Sequence, residues 1–316
     1  DTSYEAFCTE YQNDPPQTEQ IEQIQLTAAK VQARLANTGQ REVPGDTGYE
    51  TIGIDLGKHY SNWTHTTWTE ETCVGTIPDY GVMETHGLNA ASDRMAVEHA
   101  LVSALEVWAE EIVDPIKPQL VLIDSGNWAE AVYNFCRNAG PPFFPCKGWD
   151  SGRFRMPKEP TAYALPYLEC HASYLSAQNL WLYHMNGEYW KTWLQNRFLQ
   201  RTFGDDGERQ PGSLALFDPV GDSKRHLSFS KHIMAEYERF IPKEGKLLKR
   251  DWHVDNRNNH WLDATAMACS AAGCLGVRLM AEPPPPPKKP PPPPDDTKEA
   301  RATPYSRDGL PFVAIR

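Results

Sequence analysis

Residues 49–87 read YETIGIDLGKHYSNWTHTTWTEETCVGTIPDYGVMETHG. β-Branched and aromatic runs are broken here by turns rich in Gly, Asn and Glu, which predicts three consecutive strands, antiparallel neighbours joined by short loops. Next comes SDRMAVEHALVSALEVWAEEIV, where Val97, Leu101, Leu105, Trp108 and Ile112 recur at helical spacing behind Ser92 as N-cap. QLVLIDSG is an apolar run too short for a helix and suited to a buried strand. WAEAVYNFCRNAG then reads as a helix closed by Gly140.

Further along, LWLYHMN and SLALFDP read as strands and EYWKTWLQNRFLQRTF as a helix. FSKHIMAEYERFIP predicts a helix running into a strand, with EGKLLKRDWHV as the strand paired to it. NNHWLDATAMACSAAGCLGV forms a closing helix, while residues 147–178 have weak periodicity and receive no elements. This order matches the ribonuclease H-like layout, an α/β fold whose mixed sheet is flanked by helices on both faces. Three parts are expected. Residues 1–47 form a linker and an amphipathic helix, IEQIQLTAAKVQARLA, that belongs with a preceding domain; the head of the chain, Asp1 rather than Met, suits an excised fragment. Residues 48–280 form the ribonuclease H-like domain. Residues 281–316 form a tail whose PPPPPKKPPPPP must be extended polyproline II, because proline fixes φ and removes backbone donors.

A chain of 316 residues with 40% hydrophobic side chains can build a real core. Its net charge of −11 argues against a broadly basic nucleic-acid coat and leaves local basic patches. No apolar run is long enough to span a bilayer and no signal-peptide pattern occurs, so no membrane partner and no secretion are expected. Seven cysteines without a CxxC pair point to reduced core thiols, not to a zinc ribbon or a disulfide framework.

Three acids stand out. Asp55 follows TIGI in the first strand, Asp124 ends LVLI in the fourth, and Asp263 is the single formal charge between Arg257 and Arg278. Strand-end carboxylates commonly line the crevice at a sheet's C-terminal edge. An ionised carboxylate among apolar neighbours is disfavoured unless paired or metal-bound, and no Arg or Lys lies one helical turn from Asp263. Shared divalent cations would resolve this for all three acids, and hard Mg²⁺ or Mn²⁺ suits such oxygen ligands. Two ions about 4 Å apart would activate water and stabilise the leaving oxygen in phosphodiester cleavage. Plainer readings stand beside this one: Asp263 stabilised by the helix macrodipole, Asp124 capping the next helix, Asp55 as a turn residue.

With these residues in hand, the chain resembles the nuclease domain of bacteriophage terminase large subunits of the lambda-like branch. The resemblance covers residues 7–279 and rests on EYQNDP, VPGDTGYETIGIDLGKHY, LVLIDSGNWAEAVYNFCR, FPCKGW, HMNGEYWKTWLQNRF, FSKHIMAEYERF and NNHWLDATAMACSAA, in that order. It implies that Asp55, Asp124 and Asp263 are the metal-binding catalytic acids of an endonuclease that cuts concatemeric double-stranded DNA. It also implies a place beside an ATPase motor, a small terminase subunit and a portal, in the cytoplasm of an infected bacterial host. No GxxxxGK[ST] loop occurs, so the motor is not part of this sequence, and the polyproline tail departs from the family's pattern.

Candidate phosphate contacts are Lys58, His59, Lys147, Arg153, Arg155, Lys246, Lys249 and Arg250, each also readable as ordinary surface or core. Trp149 and Trp252 are candidates for base stacking, with core packing as the alternative. Three rivals share the acids or the fold. IDLGK is similar to the phosphate-binding start of actin- and Hsp70-like ATPases, although IDSGNWAE supplies a single glycine for their second loop. A non-catalytic packaging or scaffold module and a resolvase-type nuclease are the other two.

Overall fold

The structure, a computed structural model, describes residues 26–157, 169–243 and 246–277, with the side chains of residues 240–251 outside the description. The polyproline tail and the first 25 residues also lie outside the described residues. Nine strands form one sheet: β1 (Leu35–Gly39), β2 (Tyr49–Asp55), β3 (Tyr60–Trp68), β4 (Gly75–Glu84), β5 (Leu120–Asp124), β6 (Phe143–Trp149), β7 (Cys170–Leu175), β8 (Leu180–Asn186) and β9 (Leu214–Asp218). Their spatial order is β1-β9-β4-β3-β2-β5-β6-β8-β7. The predicted trio β2, β3 and β4 is antiparallel, and β2, β5 and β6 run parallel, so the ribonuclease H-like core lies at the centre of the sheet. A separate hairpin pairs β10 (Glu236–Lys243) with β11 (Lys246–Val254).

Helices cover both faces. On one, α2 (Arg94–Trp108) and α3 (Ala129–Ala139) pack with Ile52, Ile54, Val121 and Ile123. On the other, α1 (Ala28–Gln32), α4 (Gly187–Leu199), α5 (Leu227–Ile233) and α6 (His260–Cys274) share a core with Leu120, Leu122, Trp190, Phe198 and Phe229. Strand side chains alternate between faces. With Ile54 and Ile123 turned to the first face, Asp55 and Asp124 must turn to the second, under α6.

α6 is apolar on all sides because it is buried on all sides, from Ala264 through Gly273. Its small residues let it settle directly onto β2. A Cβ on Gly53 would lie 2.1 Å from the Ala264 carbonyl oxygen and 2.7 Å from the Ala268 nitrogen. Two hydroxyls stitch the contact: Thr51 Oγ1 donates to the Ala268 carbonyl at 2.8 Å, and Thr64 and Thr265 hydroxyls meet at 3.0 Å.

Several expectations are corrected. The described part of the stretch read as one helix before the domain, from Leu26 on, holds a short α1 and then turns into β1, which pairs parallel with β9 and extends the sheet. Asp93, not Ser92, caps α2, its side chain accepting from the Ala96 N–H at 2.8 Å. Asp124 does not cap α3, whose N-cap is Trp128; its Oδ1 accepts from Gly126 N–H at 3.2 Å. The region left without elements holds the end of β6 and all of β7. The six cysteines among the described residues form no disulfide, and five of them are buried.

Candidate active site

β2 and β5 are adjacent and parallel, with Ile54 opposite Ile123. Asp55 and Asp124 are therefore the next pair along, at the C-terminal ends of strands whose axes lie about 4.8 Å apart. α6 crosses β2 at Gly53, which brings Asp263 over the same edge. All three acids line one cleft of about 340 Å³, together with Trp149, Asp150, Glu188, Lys191, Glu236 and Trp252. A larger cavity of about 850 Å³, between β4 and α2, contains none of the three.

The acids feel one another. Burial, then the charge of Asp55, then that of Asp263 push the Asp124 carboxyl up to about 7. Asp263 is also raised, by burial first, with Lys191 pulling the other way and Asp55 and Glu236 adding to the rise. Each acid has found its own donor. Asp55 Oδ2 lies 2.7 Å from His260 Nδ1, and that contact is the main cause holding the imidazole above its ordinary value. Asp263 meets Lys191 Nζ at 2.6 Å through Oδ1 and Asn259 Nδ2 at 2.8 Å through Oδ2.

The lack of a cationic neighbour for Asp263 was true along its own helix and false in space. Lys191, from the second turn of α4, spans Asp263 and Glu236, with the Glu236 contact at 2.8 Å. Burial works against the ammonium, but Asp263 and Glu236 outweigh it and hold its pKa above the ordinary value. Glu236, at the start of β10, is a fourth acid that strand-end reasoning did not find. Its carboxylate also accepts from Trp252 Nε1 at 2.9 Å and Asn259 Nδ2 at 2.6 Å, and Lys191 holds its pKa down against burial. The sequence did carry one signal for Lys191: it shares a helical face with Leu194, Gln195 and Phe198, all buried.

The phosphate-contact candidates scatter. Lys147 lies with Nζ 4.6 Å from the centroid of the Trp149 ring, near enough to Asp124 to oppose the rise of its pKa. Arg153 pairs with Asp150 at 2.8 Å, and Arg155 donates to the Phe154 carbonyl at 2.6 Å. Lys58 and His59 sit in the turn after β2 and do not line the cleft. Lys246, Lys249 and Arg250 fall on β11, where the side chains lie outside the described residues. Trp252 and Trp149 both line the cleft, with indole N–H groups given to Glu236 and to His184 Nδ1 respectively.

The donor set fits a hard divalent cation, because the converging groups are carboxylates without a thiol among them. Among the described residues no three His, Cys, Asp or Glu side chains stand together at coordination spacing. The side chains that meet Asp55 and Asp263 are cations or N–H donors: Lys191, His260 and Asn259.

Sheet order and acid placement together define a ribonuclease H-like α/β domain with a carboxylate cleft at the C-terminal edge of its central strands. A family model described as terminase large subunit gpA, endonuclease domain, matches residues 5–283, and the chain belongs to that family. No curated protein matches the sequence. Among solved structures, the large terminase of a thermophilic bacteriophage is 10% identical, with a TM-score of 0.35 over 74% of this chain and 41% of that one. A mutant nuclease domain of the large terminase subunit gp2 of bacterial virus Sf6, with manganese, is 11% identical, with a TM-score of 0.42 over 77% of this chain and 98% of that one. The chain thus spans 41% of the length of the thermophilic phage's terminase. No helix among the described residues is long and apolar enough to cross a membrane.

Proposed function

We propose that this domain is a divalent-metal-dependent endodeoxyribonuclease that cuts concatemeric double-stranded DNA during phage genome packaging. The observation that carries the reading is the gathering of Asp55, Asp124 and Asp263 into one cleft within a member of a terminase endonuclease family. These three acids are the residues that would hold Mg²⁺ or Mn²⁺, with two ions the expected number. When bound, such ions supply water activation and stabilisation of the leaving oxygen. The chain's own part is to orient and to exclude. Asp55 is steered by His260, Asp263 by Asn259 and Lys191, and Asp124, whose carboxyl is pushed up to about 7, acts as a ligand only in its deprotonated form. Lys147, near Asp124, would seat a phosphate beside the cleft, and Arg153, Arg155, Lys58, His59, Lys246, Lys249 and Arg250 would contact phosphates elsewhere along the duplex, none of them reading bases. The working partners in this reading are an ATPase domain, a small terminase subunit and a portal, in the host cytoplasm.

Supercoiled plasmid incubated with the protein and Mn²⁺ tests the assignment. Nicking and linearisation are expected from the native sequence, with a loss of about 100-fold or more in Asp55→Asn and Asp263→Asn. Equal cutting by Asp55→Asn would reject the site.

A further inference from the structure

We propose that Lys191 is the resident cation of the acidic cleft, a positioning residue whose ammonium holds Asp263 and Glu236 in the metal-free protein and competes with divalent ions for them. The proposal rests on the metal-site reading above and adds to it a role for a residue outside the three acids.

Three observations carry it. Lys191 Nζ sits 2.6 Å from Asp263 Oδ1 and 2.8 Å from Glu236 Oε2, with its side chain only 13% exposed. It lines the same cleft as Asp55 and Asp124, so the charge stands inside the site and not on its rim. Finally, both of its carboxylates keep other donors when it leaves. Asn259 Nδ2 bridges Asp263 Oδ2 and Glu236 Oε1, and Trp252 Nε1 holds Glu236 Oε2. A purely structural ion pair would orphan its partners on release; this one would not.

Lysine suits the part. Its charge is a compact point on a flexible stem with rotatable donors, so it can follow a carboxylate or swing from it. A divalent ion drawn in by Asp55 and Asp124 neutralises Asp263 with twice the charge and repels the ammonium at short range. Entry of the metal therefore requires Lys191 to move. In turn, Lys191 keeps Asp263 and Glu236 tolerable to each other while no metal is bound. Empty and loaded cleft then differ in which cation, ammonium or metal, answers Asp263.

Calorimetric titration with Mn²⁺ of the native protein, Lys191→Met and Asp55→Asn, beside thermal unfolding of each without metal, tests this. Lys191→Met is expected to melt lower than the native protein without metal, to bind Mn²⁺ about ten-fold tighter or more, and to gain more in Tm at saturating Mn²⁺. A folded Lys191→Met that binds Mn²⁺ no tighter than the native protein overturns the proposal. If Asp55→Asn loses Mn²⁺ in that same experiment, the metal site itself stands and only the role of Lys191 falls. Absence of Mn²⁺ binding by every form sinks both. Should Lys191→Met not fold, the ¹⁵N signal of the Lys191 ammonium in the native protein decides. Saturating Mg²⁺ is expected to shift that signal or exchange-broaden it away, and a signal unchanged at saturation overturns the proposal.

Discussion

Asp124 is the residue on which pH acts most directly. Its folded pKa, about 7, lies above the ordinary value of a free carboxyl, so folding favours the protonated form. For a carboxylate raised in this sense, stability is whole below the unfolded value. It is lost as pH climbs from about 4 to about 7 and is flat above. Asparagine has no proton to lose. Asp124→Asn in metal-free buffer should match the native protein in urea unfolding near pH 4 and exceed it by about 2–4 kcal/mol at pH 8. A gap independent of pH would mean that the crowding of Asp124 by burial and Asp55 is not real. The same proton predicts that Mn²⁺ affinity rises with pH through 7, with proton release visible as a buffer-dependent heat of binding.

Among the elements, the contact of α6 on β2 sets where the acids meet. At Gly53 an added side chain would strike the backbone of the helix, at 2.1 Å from the Ala264 carbonyl oxygen. Gly53→Ala must push α6 outward at its first turns, next to Asp263. Overpacking of this kind costs about 1–3 kcal/mol, and here the obstacle is backbone, so the upper end is expected. Urea midpoints would show the loss, and cutting should fall further than stability alone explains, because Asp263 moves away from Asp55. Gly53→Ala with native stability would show that the helix is not seated as described. The hairpin of β10 and β11 matters in the same way: it delivers Glu236 and Trp252 to the cleft from outside the main sheet.

For the whole molecule, charge is the governing quantity. At −11 overall, the chain cannot hold DNA as a basic protein does, and in the proposed function contact comes from few cations plus metal. If all seven Lys and Arg candidates, from Lys58 to Arg250, touched phosphates, log K against log salt would slope by about −6, at roughly −0.9 each. A slope no steeper than that is expected in filter binding, with tighter binding when Ca²⁺ or Mg²⁺ is present. A slope near −10 would place the DNA on a surface other than the one around this cleft.

Much of this architecture was legible in the residues. The trio β2–β4, the strand of LVLI and the all-apolar α6 announce themselves because alternation, run length and small-residue content are local properties of the chain. Asp55 and Asp124 were readable for the same reason, each ending an apolar strand. β1 was not: LANTG has neither alternation nor β-branched density, and it is a strand because β9 offers it an edge. β6 was hidden by the prolines of PPFFPCKGW, whose pairing with β5 and β8 only the folded sheet supplies.

The cleft divides along that same line. Which side chains are carboxylates at strand ends, and which helix buries one, follows from short-range pattern, since backbone geometry repeats every two or 3.6 residues. That Asp263 is answered by Lys191, Asp55 by His260 and Glu236 by Trp252 follows from nothing local. Coulomb attraction and hydrogen bonding depend on distance in space, and those distances exist once α4, α6 and the hairpin have packed around the end of β2.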